Sequence, residues 1–262
     1  MAAVYLGRQV DVGRPVALKV LRALDDVEAA ADFAERFRLE ARALATLNHP
    51  HIVTLYDFGR LPDGRWYLAM EYVDGPRLAD LLKAGPMDPA RAVRLALQVA
   101  RAVAFAHRHG IVHRDLKPSN LLVHRDDEGR EMVKVVDFGL VKLTDTDQSV
   151  TRDGNVLGSP HCMAPEQVAG TDIDHRADLY AIGILLFRMV AGRYPFHGAN
   201  ATATMLAHVH QPLPSLAEAS STAGGLPGLE AVVRRCTEKD PNRRYPDADS
   251  LITDLRALLD PM

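Results

Sequence analysis

The chain has 262 residues, of which 47% are hydrophobic and 25% are charged. A chain of this length and composition buries a large core, which excludes disordered and fibrous classes and predicts one bilobed unit or two small domains. Its net charge of -3, without a long basic run, gives no electrostatic footprint for nucleic acid or an anionic membrane, so we expect protein partners.

The first predicted element is a strand at residues 16–20. An apolar residue stands at every second position, at Val16, Leu18 and Val20. A strand would bury these side chains and turn Ala17 and Lys19 to the opposite face. We interpret that opposite face as one wall of a binding cleft.

Residues 29–47 are rich in alanine and predict a helix with one apolar stripe, formed by Phe33, Phe37, Leu44 and Leu47. Glu40 falls in the middle of this helix. A carboxylate on a core-facing stripe is costly unless it meets a cation, and Lys19 is the cation that the preceding strand offers. The alternative is that Glu40 lies at the edge of the stripe and reaches water, as most helix glutamates do.

Residues 66–73 predict a strand that runs into an extended connection, and Asp74, Gly75 and Pro76 predict the turn after it. We interpret this turn as the separation between a small strand-rich lobe and a larger helical lobe. The segment 89–109 then predicts a core helix, which opens with a proline and stops at Gly110.

Two histidines, His107 and His109, flank Arg108 at the end of that helix and invite a metal assignment. The sequence around them offers no further cluster of metal ligands. We therefore predict that both are solvated residues at a helix cap.

Two short segments that follow carry most of the chemistry. They read HRDLKPSN at residues 113–120 and VVDFG at residues 135–139. A transferring phosphoryl group spreads negative charge over its oxygens. A protein that moves one must therefore supply a divalent metal, a cation and a group that receives a proton.

The side chains in these two segments match those requirements. Asp137 and Asn120 are the natural metal ligands, because their oxygens are hard. Asp115 stands five residues before Asn120, close enough to share a loop and far enough to face an acceptor hydroxyl. Lys117 between them can neutralise phosphate charge.

These segments resemble the catalytic loop and the magnesium-binding loop of eukaryotic-type (Hanks-type) protein kinases, in the form found in bacterial serine/threonine kinases. The resemblance extends in order over nearly the whole chain, with VALK at 16–19, MEYV at 70–73, APE at 164–166 and then Asp178. A lone Asp-Phe-Gly triplet would be weak, whereas the ordered series is specific.

The resemblance implies an α+β, bilobed protein-kinase-like fold in one domain of residues 1–262. Residues 1–73 would form a small lobe, with an antiparallel sheet and one main helix, that ends in the hinge. Residues 74–262 would form a larger, mostly helical lobe. The implied reaction is transfer of the γ-phosphate of ATP to serine and threonine hydroxyls of proteins, with Mg²⁺, or Mn²⁺ as the alternative ion.

The resemblance also implies the role of each site residue. Asp115 is the catalytic base, and the catalytic set is completed by Lys117, Asn120, Lys19 and Glu40. The metal is held by Asn120 and Asp137. The residues that bind the nucleotide are Val4, Ala17, Lys19, Met70, Glu71, Val73, Leu122 and Asp137. Plain core packing is the alternative for Val4 and Leu122.

Four further contacts follow from the same resemblance. Lys19 pairs with Glu40 and so points at the nucleotide phosphates. Glu166 forms a buried ion pair with Arg244, for which a surface arginine is the plainer alternative. Asp178 holds the backbone of the catalytic loop, although a helix cap alone would explain an aspartate there. A regulatory spine is formed by Leu44, Leu55, His113 and Phe138.

The polar segment between Gly139 and Ala164 has too little apolar content to order itself, which suits a switch. Its hydroxyl residues include Thr144, Thr146, Ser149 and Thr151. Added phosphate would meet Arg114, as in similar kinases, and Thr151 is the site we favour. Ser159 stands where relatives usually carry threonine, near the substrate hydroxyl. Self-association for phosphorylation of this segment is the matching partner hypothesis.

The remaining segments predict ordinary structure. Residues 213–228 predict a long surface loop, followed by a helix from Leu229 and a last one over 247–259. The longest apolar run, Ala181 to Phe187, is too short to cross a bilayer, and no signal peptide is apparent, so we expect a cytoplasmic protein. Cys162 and Cys236 are interpreted as reduced thiols without a role.

One motif of the family is missing. Its chain begins with a strand and a glycine-rich loop, GxGxxGxV, whose amides cover the phosphates. Here Val4 matches the final valine, which places the glycines before Met1. We expect a late recorded start or a truncation. If the chain begins at Met1, nucleotide affinity should fall by about tenfold or more per lost donor.

Three functions remain open at this point. The first is an active serine/threonine kinase. The second is a truncated or inactive pseudokinase that acts as a protein-interaction module, which the missing glycine loop favours and the complete catalytic set opposes. The third is a small-molecule phosphotransferase of similar fold, against which stand Lys117, the APE segment and the long loop before it.

Overall fold

The computed structural model describes residues 2–21, 27–138, 160–219 and 226–260, without the side chains of residues 27–32. The predicted phosphorylation site Thr151 and its neighbours Thr144, Thr146, Ser149 and Ser159 lie outside the described residues.

The first part of the chain forms a four-stranded antiparallel sheet in the order β1-β2-β4-β3. Its strands are β1 (Ala3–Arg8), β2 (Pro15–Val20), β3 (Leu55–Arg60) and β4 (Trp66–Glu71).

The predicted alternation in β2 is confirmed. Val16 and Val20 are buried, and Ala17 and Lys19 face the other side of the sheet, opposite Met70 and Leu68 of β4. Strand β2 lies between β1 and β4, so its two outward residues stand in the centre of the sheet. This position fixes the wall of the cleft described below.

One main helix, α1 (Val27–Ala45), covers this sheet. Of the predicted apolar stripe, Phe33 and Phe37 are buried and Leu44 is half-buried, whereas Leu47 is buried just beyond the end of the helix at Ala45. The ring of Phe37 lies 4.7 Å from that of Trp66 on β4, and both belong to a cluster that also contains Leu68. Aromatic packing therefore fixes the helix on the sheet.

The second part of the chain is mostly helical. Its helices are α2 (Leu78–Leu81), α3 (Pro89–Arg108), α4 (Pro165–Ala169), α5 (Arg176–Ala191), α6 (Ala201–His210), α7 (Leu216–Ala219), α8 (Leu229–Cys236) and α9 (Ala248–Leu259). A two-stranded sheet of β5 (Leu121–Arg125) and β6 (Glu131–Val135) lies on this part, on the side of the hinge. Together the two parts confirm the bilobed α+β fold.

Helix α5 is the centre of the large lobe. Nearly all of its side chains are buried, including the aromatic rings of Tyr180 and Phe187. Helices α3 and α8 pack on it, and α9 packs on α3. A helix that is apolar on all sides requires this complete cover by neighbouring elements.

The hinge connection lies directly on the small sheet of the large lobe. The amide of Val123 donates to the carbonyl of Pro76 at 2.9 Å, and Arg77 forms an isolated antiparallel bridge with Leu122. Gly75 lies so close to β5 that a side chain there would overlap the carbonyl of Val123. The backbone approach therefore requires glycine at this position.

Two details differ from the sequence predictions or extend them. The segment 213–228 is not a plain surface loop, because it contains α7, whose Leu216 is buried in the core. No helix among the described residues is long and apolar enough to cross a membrane. The boundary at residues 73 and 74, and the extent of one domain over residues 1–262, stay predictions.

We predict that Gly75→Ala lowers the free energy of unfolding by about 1–3 kcal/mol, because the added Cβ forces the hinge connection away from β5. Urea unfolding followed by circular dichroism measures the change. Gly7→Ala is the control, since a Cβ there meets Val16 at an ordinary 3.5 Å. Equal stability of the two variants would contradict the close approach.

Candidate active site

A cleft of about 680 Å³ lies between the two lobes. All eight predicted nucleotide-binding residues line it, namely Val4, Ala17, Lys19, Met70, Glu71, Val73, Leu122 and Asp137. Lys117 and Asn120 of the predicted catalytic set also line it. The site that the sequence spread over more than a hundred positions is therefore one continuous surface.

Lys19 forms an ion pair with Asp137 across the cleft. Its Nζ lies 2.6 Å from Asp137 Oδ1, and the two side chains are 14% and 29% exposed. The backbone of Asp137 is left-handed, with φ of 65°, a strained conformation that is common at functional sites. A half-buried pair of this kind holds its two charges in place for a bound ligand.

The predicted contact between Lys19 and Glu40 is not formed in this structure. No such pair occurs among the ion pairs of the described residues, and Glu40 lies half-buried on α1. Lys19 Nζ donates instead to Asp137 Oδ1 at 2.6 Å. The role of Glu40 in catalysis stays a prediction.

The catalytic loop is held together by short polar contacts. Lys117 Nζ lies 2.5 Å from Asp115 Oδ2, and Asn120 Nδ2 donates to the carbonyl of Asp115 at 2.9 Å and to its Oδ2 at 3.2 Å. Because the amide nitrogen of Asn120 is used in this way, its Oδ1 remains as the acceptor for a metal ion. The amide of Val136 donates to the carbonyl of Asn120 at 3.0 Å, which ties this loop to the one that carries Asp137.

His113 connects the same two loops through its ring. The amide of Asp115 donates to His113 Nδ1 at 3.2 Å, so that nitrogen is an acceptor. The proton of the neutral ring therefore sits on Nε2, which donates to the carbonyl of Val136 at 2.9 Å. The fully buried His113 thus fixes Asp115 relative to the strand end before Asp137.

The carboxylate of Asp178 on α5 holds the catalytic loop from below. It accepts hydrogen bonds from the amides of His113 and Arg114, each at 2.8 Å, and from His107 Nε2 at 2.8 Å. Burial by itself raises the pKa of Asp178, but the imidazoles of His107 and His113 and the amide bonds outweigh it and lower that pKa. The predicted role of Asp178 in holding the loop backbone agrees with this geometry.

The prediction for His107 was wrong. Its side chain is only 10% exposed and donates to Asp178, so it supports the catalytic loop rather than forming a solvated cap. His109 is exposed at the helix end and bonds the carbonyl of Phe105 at 2.9 Å, as expected for a capping residue. The two histidines differ because only His107 reaches the buried carboxylate of Asp178, which is seventy-one positions away and cannot be recognised from local spacing.

The four residues of the predicted spine come together. Leu44, Leu55 and Phe138 line one small internal cavity of about 30 Å³ between helix α1 and the sheets. The ring of His113 lies 4.7 Å from that of Phe138. Apolar packing therefore runs from α1 to the catalytic loop without a break.

The predicted buried ion pair of Glu166 and Arg244 is present. Arg244 Nη1 and Nη2 lie 2.6 Å and 2.7 Å from the two oxygens of Glu166, and the side chains are 0% and 7% exposed. The guanidinium also donates to the carbonyls of Glu238, Arg176 and Lys239. This satisfies a charge that would otherwise be costly to bury.

Sequence reasoning missed two positioning residues. Gln167 Nε2 donates to the carbonyl of Arg114 at 2.7 Å and links the start of α4 to the catalytic loop. Lys134 Nζ lies 2.8 Å from Glu71 Oε2, which also accepts from the amide of Thr54 at 3.2 Å. A lysine in the alternating strand β6, on the face turned to the hinge, is the signal that would have pointed to Lys134.

The hinge presents backbone groups to the cleft. No hydrogen bond among the described residues uses the amide or the carbonyl of Val73. The side chain of Glu71 is held by Lys134 and its amide donates to the carbonyl of Thr54 at 2.9 Å, so the backbone groups of Val73 are the ones that this segment leaves for a ligand. A planar heterocycle with neighbouring donor and acceptor atoms fits such an edge.

Comparison with known proteins agrees with this geometry. A family model described as "Protein kinase domain" matches residues 1–254. The serine/threonine-protein kinase pkn2 of Myxococcus xanthus is 42% identical over 98% of this chain and 31% of its own length. PknB of Mycolicibacterium smegmatis is 40% identical over 97% of this chain and 40% of its own length. PrkC of Bacillus subtilis is 37% identical over 99% of this chain and 39% of its own length. The chain therefore spans less than half the length of these relatives.

We predict that Asp178→Asn lowers the free energy of unfolding at pH 7 by about 2–4 kcal/mol, because an amide can accept fewer of the three hydrogen bonds. Urea unfolding measures it, with the exposed Asp172→Asn as the control. Because the pKa of Asp178 is lower in the folded protein than in the unfolded chain, its carboxylate stabilises the fold at a pH above the unfolded pKa. This stabilisation is lost as the pH falls through the folded pKa. The gap between wild type and Asp178→Asn should therefore narrow below about pH 4. A gap that widens on acidification would contradict the assignment.

Proposed function

The chain belongs to the protein kinase family, and we propose that it is an ATP-dependent serine/threonine kinase that phosphorylates protein hydroxyls. The observation that carries the proposal is the joining of Asp115, Lys117 and Asn120 in one network beside the ion pair of Lys19 and Asp137. Two carboxylates, an amide and two ammonium groups at one cleft fit the charge of a transferring phosphoryl group.

Asp115 is the proposed base. Its Oδ2 accepts from Lys117 and Asn120, so its other oxygen, Oδ1, takes the hydroxyl proton of the acceptor serine or threonine as the hydroxyl oxygen attacks the γ-phosphorus, and the bond to the β,γ-bridging oxygen breaks. Lys117 bonds the same Oδ2, so its charge lies next to the transferred group. Asn120 holds the backbone and side chain of Asp115 in position through its amide.

The donor set fits a divalent metal. Asn120 Oδ1 and the carboxylate of Asp137 are hard oxygens, the ligands that Mg²⁺ prefers, and Mn²⁺ accepts the same atoms. When bound, the ion supplies neutralisation of phosphate charge. We propose Mg²⁺ as the physiological ion and Mn²⁺ as the alternative.

The nucleotide is proposed to lie with its adenine at the hinge. The backbone groups around Glu71 and Val73 would bond the base, Met70 would close the back of the pocket, and the ring would lie between Val4, Ala17 and Leu122, all of which line the cleft. Lys19 then faces the phosphates, with Glu40 as its partner once Asp137 turns to the metal.

Protein substrates and ATP are the proposed partners, with self-association as the route to phosphorylation of the segment 139–164. The cytoplasm is the proposed location. Cys162 and Cys236 are free and buried, which fits a reducing compartment, and burial raises the pKa of Cys162 to about 12 and that of Cys236 further. Both thiols are thus inert packing residues.

We predict that Asp115→Asn lowers kcat for transfer of labelled phosphate from ATP to a generic serine-rich protein by about a hundred- to ten-thousand-fold, since the base is lost. Asp127→Asn is the control, because it makes the same chemical change on an exposed turn. Acid hydrolysis of the product identifies the labelled amino acid.

Three outcomes would contradict the proposal. Equal transfer by Asp115→Asn and wild type would remove Asp115 from catalysis. ATP binding without transfer by either protein would favour an inactive interaction module. Label on an added small molecule, with none on serine or threonine of protein, would favour the small-molecule phosphotransferase.

We predict that Asp137→Asn weakens Mg²⁺-dependent ATP binding by about tenfold or more, because a charged metal ligand is replaced by a neutral one. Isothermal titration with ATP, in Mg²⁺, in Mn²⁺ and in EDTA, measures the metal-dependent part of the affinity. Asp127→Asn again serves as the control. An unchanged ratio of affinities with and without metal in Asp137→Asn would contradict the metal assignment.

A further inference from the structure

Helix α3 carries charge of a single sign. Its residues include Arg91, Arg94, Arg101 and Arg108 and no aspartate or glutamate, although the whole chain has a net charge of -3. The apolar positions of the helix are buried in the core of the large lobe. The polar residues therefore share the remaining side, which we call the arginine face, defined by these four residues.

Three of these arginines lie almost in a line. Arg94, Arg101 and Arg108 are seven residues apart, and seven residues advance a helix by about 10.5 Å while rotating it by only about 20°. The arginine face thus presents a guanidinium every two turns along one side of the lobe.

The two central arginines are less closely paired than the outer two, although, beside the hydrogen-bonded Arg91, the charge of Arg94 is near enough to Glu131 to lower the pKa of that carboxyl. Arg91 is bonded to Glu131 at 2.7 Å, and Arg108 is only loosely paired with Asp249 at 3.1 Å, where the side chains are 57% and 67% exposed. Neither Arg94 nor Arg101 forms an ion pair with any described residue. Arg101 is also half-buried. A guanidinium removed in part from water without a counter-ion gains free energy when an anion binds it.

Aromatic rings fill the space beside Arg101 and Arg108. Phe105 lies between His49 and His109, with ring centroids 5.1 Å and 4.5 Å apart. His49 comes from the loop before β3, so this group of three rings is built by that loop and by α3 together with the residue that follows it. Burial and the positive charges of Arg108, Lys134 and Arg101 lower the pKa of His49, which agrees with a positive potential at this place.

We propose that the arginine face docks an extended acidic segment of a partner protein. An extended chain in the polyproline II conformation has three residues per turn and rises about 3.1 Å per residue, so every third side chain returns to the same side at about 9.3 Å, close to the arginine spacing. The segment would carry Asp or Glu at three positions of this repeat. An apolar side chain just before the third acid would lie over Phe105, which is four residues after Arg101.

The docking site is connected to the active site through backbone hydrogen bonds. The carbonyl of His51 accepts from the amide of Val135 at 2.9 Å, and the amide of Val53 donates to the carbonyl of Val135 at 3.0 Å. Val135 ends β6, two residues before Asp137. A partner segment that contacts His49 would therefore lie next to residues 51–53, which bond the end of β6 just before the proposed metal ligand Asp137.

Fluorescence anisotropy of the purified chain without ATP tests the proposal, and the readout does not depend on catalysis. The probe is a labelled ten-residue peptide with Asp at its first, fourth and seventh positions, Phe at its sixth, and Ser or Gly elsewhere. A peptide of the same composition with the three acids adjacent should bind about tenfold more weakly, because only one arginine can be reached in a bidentate way.

Arg101→Gln and Arg94→Gln should each weaken binding of the spaced peptide about tenfold, since each removes one charged hydrogen-bonding group while glutamine preserves the helix. Arg193→Gln is the matched control, because this exposed arginine lies off α3 and has no ion pair among the described residues. Asp115→Asn should bind the probe like wild type, which separates docking from the proposed catalysis.

Several results would overturn the proposal. Equal weakening by Arg193→Gln, or equal binding of the spaced and adjacent peptides, would reduce the effect to general charge attraction. Unchanged binding in both Arg94→Gln and Arg101→Gln would exclude the arginine face. Tighter binding of a labelled duplex DNA, lost in the same two variants, would assign the face to nucleic acid instead of protein.

Discussion

One buried carboxylate fixes the geometry on which the active site depends. Asp178 belongs to α5, the most deeply buried helix, and its oxygens accept from two successive amides of the catalytic loop and from His107. Arg114 has a left-handed backbone, with φ of 66°, that is costly without such support. Asp178 therefore transfers the rigidity of the core to a loop that has no regular structure of its own.

The charged groups are paired differently at the two proposed functional surfaces. In the cleft each lysine has a carboxylate within 2.6 Å, because Lys19 meets Asp137 and Lys117 meets Asp115. A ligand in the cleft must replace the carboxylates at the two lysines and the lysines at the two carboxylates. A polyanion with a bound cation can do both. On the arginine face Arg91 and Arg108 meet acids, whereas Arg94 and Arg101 form no ion pair with a described residue, so an anionic segment would exchange only with Asp249 at Arg108.

Much of the fold and of the candidate site could be predicted from local pattern. The alternation in β2, the stripe of α1 and the proline and glycine that bound α3 are short-range signals, and the structure follows them. Lys19, Lys117, Asn120 and Asp137 also line one cleft, and Asp115 bonds Lys117 and Asn120 at its edge. The prediction of a surface loop at residues 213–228 was wrong. Leu216 is buried against residues that are distant in the sequence, and the polar residues around it in the chain give no sign of that burial.

The sequence by itself determined the family and predicted the chemistry, since residue types at fixed spacings within one loop can serve few reactions. Only the tertiary structure decided which partner each charged group takes. Lys19 bonds Asp137, His107 supports Asp178, and Arg101 lies half-buried without an ion pair to any described residue. The physical reason is that electrostatic and hydrogen-bond energies depend on distance in space and on burial, which long-range packing sets and spacing along the chain does not.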